Sequence, residues 1–256
     1  MNLSCCAWAL SGTPSGVAGQ VAGLGFESVD LRPFAFAGER GRNQLASAGL
    51  EVRCVAASAG VHDDLSLESS DRAVVSAALG QLDIAFEYAA SHRAGTAYIV
   101  PGGEAVGDFG RYAAALGEAA GLAQQRGLRL AVEHFPGRAL PTVAATLDLL
   151  AEIDHPNLYL LLDLGHAQMS EEDPAGAIEA AGPRLGYVHL DDNNGVDDSH
   201  LALFDGVLTR ETLRRTLAAL PSVGYDGPVS LELNPELPDP ADALRRSREA
   251  VEEALS

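Results

Sequence analysis

Short apolar runs alternate along the chain with longer segments whose apolar residues recur at helical spacing. The apolar runs are short, and several stop at a carboxylate or a histidine, as expected of strands buried on both faces of a parallel sheet. The predicted strands are residues 3–8, 27–31, 51–57, 95–100, 128–133, 159–163, 185–189 and 229–232. The predicted helices are residues 13 to 23 or 25, 39–48, 67–92, 109–126, 143–153, 174–181, 210–220 and 239–255.

Eight strand and helix pairs in 256 residues predict an α/β fold, a (β/α)8 TIM barrel forming a single domain over residues 1–256. The alternative is a doubly wound open sheet, whose dinucleotide-binding form carries Gly-x-Gly-x-x-Gly after the first strand. That motif is absent here, because Gly19, Gly23 and Gly25 fall within and after the first predicted helix. The pattern therefore favours the barrel.

Four of the predicted strands end at residues that bind metals. The strands of the second half stop at Glu133, Asp163, His189 and Glu232. In a barrel the carboxyl ends of the strands surround one point, where these enzymes place their chemistry. Three carboxylates and one imidazole at one point predict a divalent-metal site. Any one of these carboxylates alone has a simpler explanation as the cap of the following helix.

The composition limits the partners and the reactions that this chain can have. The net charge of −19 argues against nucleic acid as a partner, because nucleic-acid affinity comes largely from neutralising phosphates with cations. All 17 basic residues are arginine, which excludes a lysine Schiff base and a Walker phosphate loop.

The hydrophobic fraction, the N-terminal sequence and the cysteine count bear on the cellular location of the protein. The hydrophobic fraction of 47% is ample for a core, and no stretch reaches the ~18 apolar residues of a membrane span, so we expect no membrane partner. The N-terminus lacks the basic start of a secretory signal, and the three cysteines are an odd number. We therefore expect a cytoplasmic protein with reduced thiols.

Further polar and aromatic residues lie near the predicted mouth of the barrel. His166 follows Asp163 by three residues and faces either the substrate or a second metal, unless it is a surface histidine. Asp198 and His200 lie in the polar loop after strand seven, which is otherwise a solvated loop or a calcium-type oxygen cluster. Trp8 is a candidate for stacking on a sugar ring and is equally typical of core. Arginines after strands two and five, Arg32 and Arg138, are candidate anion anchors or surface salt-bridge partners.

These residues stand in motifs that resemble the xylose isomerase-like TIM barrel superfamily, the sugar phosphate isomerase/epimerase group that is related to endonuclease IV. The matching motifs are Gly-Phe-Glu-Ser-Val-Asp-Leu (25–31), Ala-Val-Glu-His (131–134), Leu-Asp-Leu-Gly-His (162–166), Val-His-Leu-Asp-Asp (188–192), Asp-Ser-His (198–200) and Ser-Leu-Glu-Leu (230–233). The resemblance implies a metal-dependent enzyme whose four strand-end residues bind Mn²⁺, Mg²⁺, Co²⁺ or Zn²⁺. It also implies a small carbohydrate or cyclitol substrate, and it leaves a homo-oligomer open.

The ketose epimerase branch implies roles for individual residues. There the two metal-bound glutamates, here Glu133 and Glu232, act as acid and base on opposite faces of the substrate. The resemblance makes His166 a substrate-contacting residue, and a proton would move through an enediolate beside a carbonyl. The epimerases carry an arginine a few residues after the strand-seven histidine, and the loop near Gly195 has none. The expected function is sugar isomerisation or epimerisation.

Other branches of the superfamily stay open. Inosose and dehydroshikimate dehydratases use the same metal site and enolate chemistry, so a lyase is the first alternative. Endonuclease IV resembles this chain at its metal ligands, but its third metal needs histidines after strands three and four, where this chain has a distant His62 and Val100. A non-catalytic metal-binding subunit that keeps the barrel is the remaining alternative.

Overall fold

The computed structural model describes residues 2–102 and 109–255. Eight parallel strands close into one barrel in sequence order, because the last strand pairs with the first. The strands are β1 Leu3–Cys6, β2 Ser28–Leu31, β3 Glu51–Ala56, β4 Thr96–Ile99, β5 Arg129–Glu133, β6 Leu158–Asp163, β7 Leu185–Leu190 and β8 Val229–Leu231. The predicted (β/α)8 TIM barrel is therefore confirmed.

Helices cover the outside of the barrel. They are α1 Pro14–Gly23, α2 Gly38–Ser47, α3 Arg72–Ser91, α4 Phe109–Gln125, α5 Val143–Ile153, α6 Leu164–Met169, α7 Pro174–Ala181, α8 Arg210–Ser222 and α9 Pro240–Ala254. Side chains cap several of them, as when Thr142 accepts a hydrogen bond from the backbone N–H of Ala145 at 3.0 Å. In the part of the chain that the structure describes, no helix is long and apolar enough to cross a bilayer.

The larger differences from the predicted elements are at the third helix, the first strand and the segment after Asp163. The long third helix begins at Arg72 rather than at residue 67, because Asp71 caps it through the backbone N–H of Ala73 at 2.8 Å. The first strand ends at Cys6, and Trp8 lies in the short 3-10 helix that follows. The short helix α6, which begins directly after Asp163, was not predicted.

The two faces of the barrel wall have different side chains. The outer face packs against the helices in one large apolar core, with residues such as Val29, Leu130 and Leu160 fully or almost fully buried. The inner apolar cluster is small and comprises Cys54, Ala56, Tyr98, Ala131, Leu161 and Tyr187. Buried polar residues, including Ser4, Asp30 and Ser230, lie on strands β1, β2 and β8. Their hydrogen bonds, together with those of Cys6 and Tyr187, connect these strands across the interior.

Candidate active site

The four strand-end residues meet at the carboxyl end of the barrel. Glu133, Asp163, His189 and Glu232 each offer a ligand atom, and these four atoms all lie within 4.8 Å of one another. Asp163 and His189 are direct partners in the β6 and β7 ladder, so the register of the sheet places them side by side. Glu232 follows β8 by one residue, and its backbone N–H donates to Leu190 O at 3.1 Å. Parallel pairing thus brings together residues that lie up to 99 positions apart in the chain.

The donor atoms of this cluster fit a divalent cation. Asp163 Oδ1 accepts the backbone N–H of His166 at 2.8 Å, while Asp163 Oδ2 is buried without a hydrogen bond. His189 Nδ1 lies 2.5 Å from Glu232 Oε2, yet neither ring nitrogen of His189 has a hydrogen-bond partner. Buried polar atoms without partners are costly, and a shared cation would satisfy them. Three carboxylate oxygens and one imidazole nitrogen suit Mn²⁺, Mg²⁺, Co²⁺ or Zn²⁺.

The two glutamates of the cluster have very different proton affinities. Burial raises the pKa of Glu133 to about 8, despite the charge of His166, and the charge of Glu232 adds to the shift. Burial also acts on Glu232, but the charge and contact of His189 outweigh it and lower the pKa of Glu232 to about 2. A pair of carboxyl groups whose pKa values diverge in this way is suited to separate acid and base roles.

A chain of acids and imidazoles surrounds this cluster. Asp198 Oδ1 lies 3.2 Å from His166 Nε2 and 3.1 Å from His200 Nε2, so it connects the two rings. His200 Nδ1 is 3.0 Å from Asp191 Oδ2. Burial lowers the pKa of His166, but Asp163 and Asp198 raise it to about 10. Despite its burial, His200 also has a raised pKa, because Asp191 and Asp198 bond to it. The network therefore contains both negatively charged carboxylates and positively charged imidazoles.

The sequence predicted His166, Asp198 and His200 as substrate contacts. Of these three residues, only His200 is among the residues that line the cavity described below. His166 is fully buried, with Nδ1 lying 3.0 Å from His134 O and Nε2 facing Asp198. His166 Nδ1 also lies 3.5 Å from Glu133 Oε1. His166, Asp198 and His200 are themselves close enough together to hold a second metal ion.

Gly165 explains part of the Leu-Asp-Leu-Gly-His motif. Its backbone N–H donates to Asp191 Oδ1 at 2.9 Å, so Asp191 packs directly against the peptide. A Cβ at this position would lie 2.5 Å from Asp191 Oδ1, closer than real Cβ contacts come. Only glycine leaves room for Asp191 between α6 and His200. Asp191 was not predicted as part of the site.

A cavity of about 510 Å³ opens beside the two glutamates. Trp8 lines it, and its indole Nε1–H donates to Glu232 Oε1 at 3.1 Å. The guanidinium of Arg32 lies 5.2 Å from the Trp8 ring, and that of Arg138 lies 4.6 Å from the Phe135 ring. Arg138 also donates to Pro101 O at 3.4 Å. Within residues 2–102 and 109–255, neither arginine forms a salt bridge, so both guanidinium groups lack the carboxylate partner considered from sequence.

Asp192 fixes the loop that carries Asp198 and His200. Its two carboxylate oxygens accept four backbone N–H groups at 2.8 to 3.0 Å, those of Asn193, Phe204, Gly206 and Leu208. The backbone of Asp192 also pairs with Leu201 in an antiparallel bridge. The loop is therefore held from both of its ends by one buried side chain.

Two further residues of the barrel interior border the cluster and were missed from sequence. Tyr98 lines the cavity, is only 4% exposed, and packs edge-on against His189 with ring centroids 5.2 Å apart. Asp30 is fully buried, and its Oδ2 lies 3.8 Å from His189 Nε2. A signal for Asp30 was present, because a carboxylate near a strand end is what revealed Glu133. Tyr98 offered none beyond its place on a strand.

Comparison with known proteins identifies the family. Residues 19–254 match the model of the xylose isomerase-like TIM barrel family. The chain belongs to this family. Its resemblance to that family, expected from the sequence motifs, is therefore confirmed, and so is the fold that the family implies.

Relatives of known sequence include epimerases and dehydratases. A ketose 3-epimerase of Arthrobacter globiformis is 30% identical over 224 residues, which cover 81% of this chain and 73% of that protein. An inosose dehydratase of Geobacillus kaustophilus is 38% identical over 78 residues, 30% of this chain and 25% of that protein. The uncharacterised protein MJ1311 of Methanocaldococcus jannaschii is 32% identical over 123 residues, 46% of this chain. The chain spans 41% of the length of MJ1311.

Solved structures agree on the fold. A D-tagatose 3-epimerase-like protein superposes with a TM-score of 0.80 at 22% identity and covers 100% of both chains. The D-allulose 3-epimerase of a Methylomonas species gives a TM-score of 0.82 at 20% identity, over 99% of this chain and 98% of that one. At these identities the likeness concerns the barrel alone. The sequence relatives of named activity are epimerases and dehydratases, which are enzymes.

Proposed function

We propose that this protein is a divalent-metal-dependent sugar isomerase or epimerase. Its substrate is a keto-sugar or a polyol-derived ketone, and the reaction moves a proton at a carbon beside a carbonyl. The observation that carries the proposal is the pair of glutamates, the buried Glu133 and the partly exposed Glu232, within one cluster that also contains Asp163 and His189. The ketose 3-epimerase that resembles most of the chain supports the same reaction class.

The four clustered residues would hold the metal ion. A divalent cation held there would supply positive charge that polarises the carbonyl and hydroxyl oxygens of the substrate and would stabilise the negative charge developing beside the carbonyl. Glu133 and Glu232 then take and return the proton, since each is a carboxyl group beside the cavity. The indole N–H of Trp8 orients Glu232 for this transfer by holding Oε1.

The remaining residues bind substrate or support the glutamates. His200, Trp8 and Arg138 line the cavity and contact the substrate. Asp198 connects His200 to His166, whose positive charge lies against Glu133 and favours its ionised form. His166 therefore acts on the substrate indirectly, through its contacts with Asp198 and Glu133. Direct contact would require the imidazole to lose one of these protein contacts.

Isotope exchange tests the proposal. We would incubate the Mn²⁺-loaded protein with keto-sugars and cyclitol ketones in D₂O, and follow them by NMR and mass spectrometry. Epimerisation incorporates deuterium beside the carbonyl and gives a stereoisomer without loss of water. Glu133→Gln and Glu232→Gln should each abolish exchange, whereas Glu118→Gln, an exposed glutamate on α4, should leave it unchanged. Metal-loaded protein that exchanges no proton in any such ketone would refute the proposal.

A lyase on the same site is the second candidate. An inosose dehydratase and a 3-dehydroshikimate dehydratase of Bacillus anthracis resemble parts of this chain, the latter at 31% identity over 80 residues. Dehydration also begins with proton abstraction beside a carbonyl, so Glu133 and Glu232 would have the same first step. The isotope experiment separates the two, because a lyase product is lighter by one water. Metal binding without any turnover would instead favour the non-catalytic subunit.

A further inference from the structure

Asp30 is a carboxylate buried inside the barrel, below the candidate metal cluster. It is fully buried on β2. Its Oδ1 accepts the hydroxyl of Tyr187 at 2.7 Å and that of Ser4 at 3.2 Å. The thiol of Cys6 points to Oδ2 at 4.0 Å. A buried carboxylate is costly unless it is well bonded, and these contacts satisfy Oδ1 far better than Oδ2.

The other neighbour of Oδ2 is the imidazole of His189. Asp30 Oδ2 lies 3.8 Å from His189 Nε2, whereas His189 Nδ1, on the other side of the ring, lies 2.5 Å from Glu232 Oε2. The ring therefore stands between two carboxylates. Tyr98 and Tyr187 pack edge-on against it, with centroids 5.2 and 5.6 Å away and interplanar angles of 88° and 89°. Packing of the two tyrosine rings restricts rotation of the imidazole.

We propose that Asp30 is the positioning residue for His189: the negative charge of Asp30 Oδ2, 3.8 Å from Nε2, holds the ring proton on Nε2, so that Nδ1 keeps its lone pair toward Glu133, Asp163 and Glu232. A neutral imidazole carries one N–H, and only the other nitrogen can bind a cation. The opposite tautomer would direct an N–H at the cluster and remove one of its four ligands. Since the role concerns the cation, it rests on the proposed function.

The alternative to a positioning role is that Asp30 and His189 belong to a second metal site. Cys6, Asp30 and His189 offer ligand atoms within 4.8 Å of one another. A cysteine binds metal as a thiolate, and burial together with the charges of Glu232 and Asp30 raises the pKa of Cys6 well above its usual value. Ser230 Oγ lies 3.8 Å from the Cys6 sulfur, so the thiol already has a hydroxyl neighbour. The protonated thiol and its hydroxyl neighbour thus argue against a second ion here.

The test compares metal affinity and histidine tautomer in Asp30→Asn and Tyr187→Phe. Tyr187→Phe is the matched control, because it removes a hydrogen bond to Asp30 and leaves the carboxylate beside His189. Calorimetric titration of metal-free protein with Mn²⁺ should give a Kd raised ~10- to 100-fold by Asp30→Asn, and a smaller change in the control. Nitrogen-15 NMR of the Zn²⁺-loaded protein, whose ion is diamagnetic, should show His189 protonated at Nε2 and metal-bound at Nδ1 in the wild type, and a weakened Nδ1 signature in Asp30→Asn.

Several outcomes would overturn the proposal. Unchanged Mn²⁺ affinity and an unchanged His189 tautomer in Asp30→Asn would make Asp30 only a polar member of the core. A second Zn²⁺ per chain that Cys6→Ser removes would assign Asp30 to a metal site of its own. If Asp30→Asn fails to fold by circular dichroism, Asp30→Ser tests the same two quantities.

The proposed function fails in a different way. A wild-type protein that binds no divalent ion would refute the function, whereas ordinary binding that is insensitive to Asp30 would refute the positioning role alone. The two failures are therefore distinguishable, because only the first is seen in the wild type.

Discussion

The loop that carries Asp198 and His200, over the candidate active site, depends on one carboxylate. Asp192 is fully buried, and each of its oxygens accepts two backbone N–H groups of residues 193–208. Asp192→Asn keeps the size of the side chain but replaces one oxygen by an amide that donates. Two of the four hydrogen bonds are then lost, and two backbone donors face another donor.

The expected cost follows from those two bonds. A hydrogen bond to a charged group contributes ~1.5 to 3 kcal/mol, so losing two at the lower value destabilises the protein by ~3 kcal/mol. In a chain of this size, that corresponds to a fall in melting temperature of ~6 to 12 °C. The lower value applies because the loop lies at the surface, where water can reach part of the released backbone.

Thermal unfolding of metal-free protein followed by circular dichroism measures this effect. Asp197→Asn is the control, since it makes the same charge change in the same loop at an exposed aspartate and should cost at most ~0.5 kcal/mol. Because the loop carries Asp198 and His200, turnover should fall with Asp192→Asn as well. Equal melting temperatures for the two variants would refute the role of Asp192.

Three further predictions concern the site. Mn²⁺ at 100 times its Kd should stabilise the wild type by ~2.7 kcal/mol, a rise of ~5 to 10 °C in melting temperature that Glu133→Gln and chelator both remove; an equal rise in the variant would contradict the ligand assignment. Trp8→Phe loses the hydrogen bond to Glu232, worth ~1.5 kcal/mol, and should lower kcat ~10-fold, so an unchanged kcat would count against orientation by Trp8. Burial and His166 lower the pKa of His134 to about 4, so the unfolded chain, with a pKa of ~6.5, binds a proton first as pH falls. Metal-free protein should therefore lose ~3 kcal/mol between pH ~6.5 and ~4, whereas denaturant titrations of His134→Gln should show a flatter profile.

The barrel and the cluster of strand-end residues at its mouth were predictable from the sequence for the same reason. A parallel strand buried on both faces is a short apolar run, and its last residue reaches the carboxyl end of the barrel. Glu133 and Asp163 therefore stood out as polar residues at the ends of such runs. Their roles as ligands, and the catalytic roles of Glu133 and Glu232, stay predictions.

Other features of the site depend on contacts that a sequence pattern does not contain. The four hydrogen bonds of Asp192 reach up to 16 residues along an irregular loop, so no periodicity reveals them. Asp191 depends on the space left by Gly165, which only the packing of α6 against β7 explains. The start of the long helix was misjudged because Leu67 is apolar, yet it lines the cavity instead of continuing α3.

The contrast between the two faces of the barrel wall bears on how this protein can change. Apolar burial, the main source of stability, lies outside the strands, while the interior holds serines, tyrosines and Asp30. Substitutions inside the wall therefore remove little of the packing that keeps the chain folded. Such a barrel can exchange the residues around its reacting centre and still fold, which gives evolution, or a laboratory selection, a scaffold for new substrates.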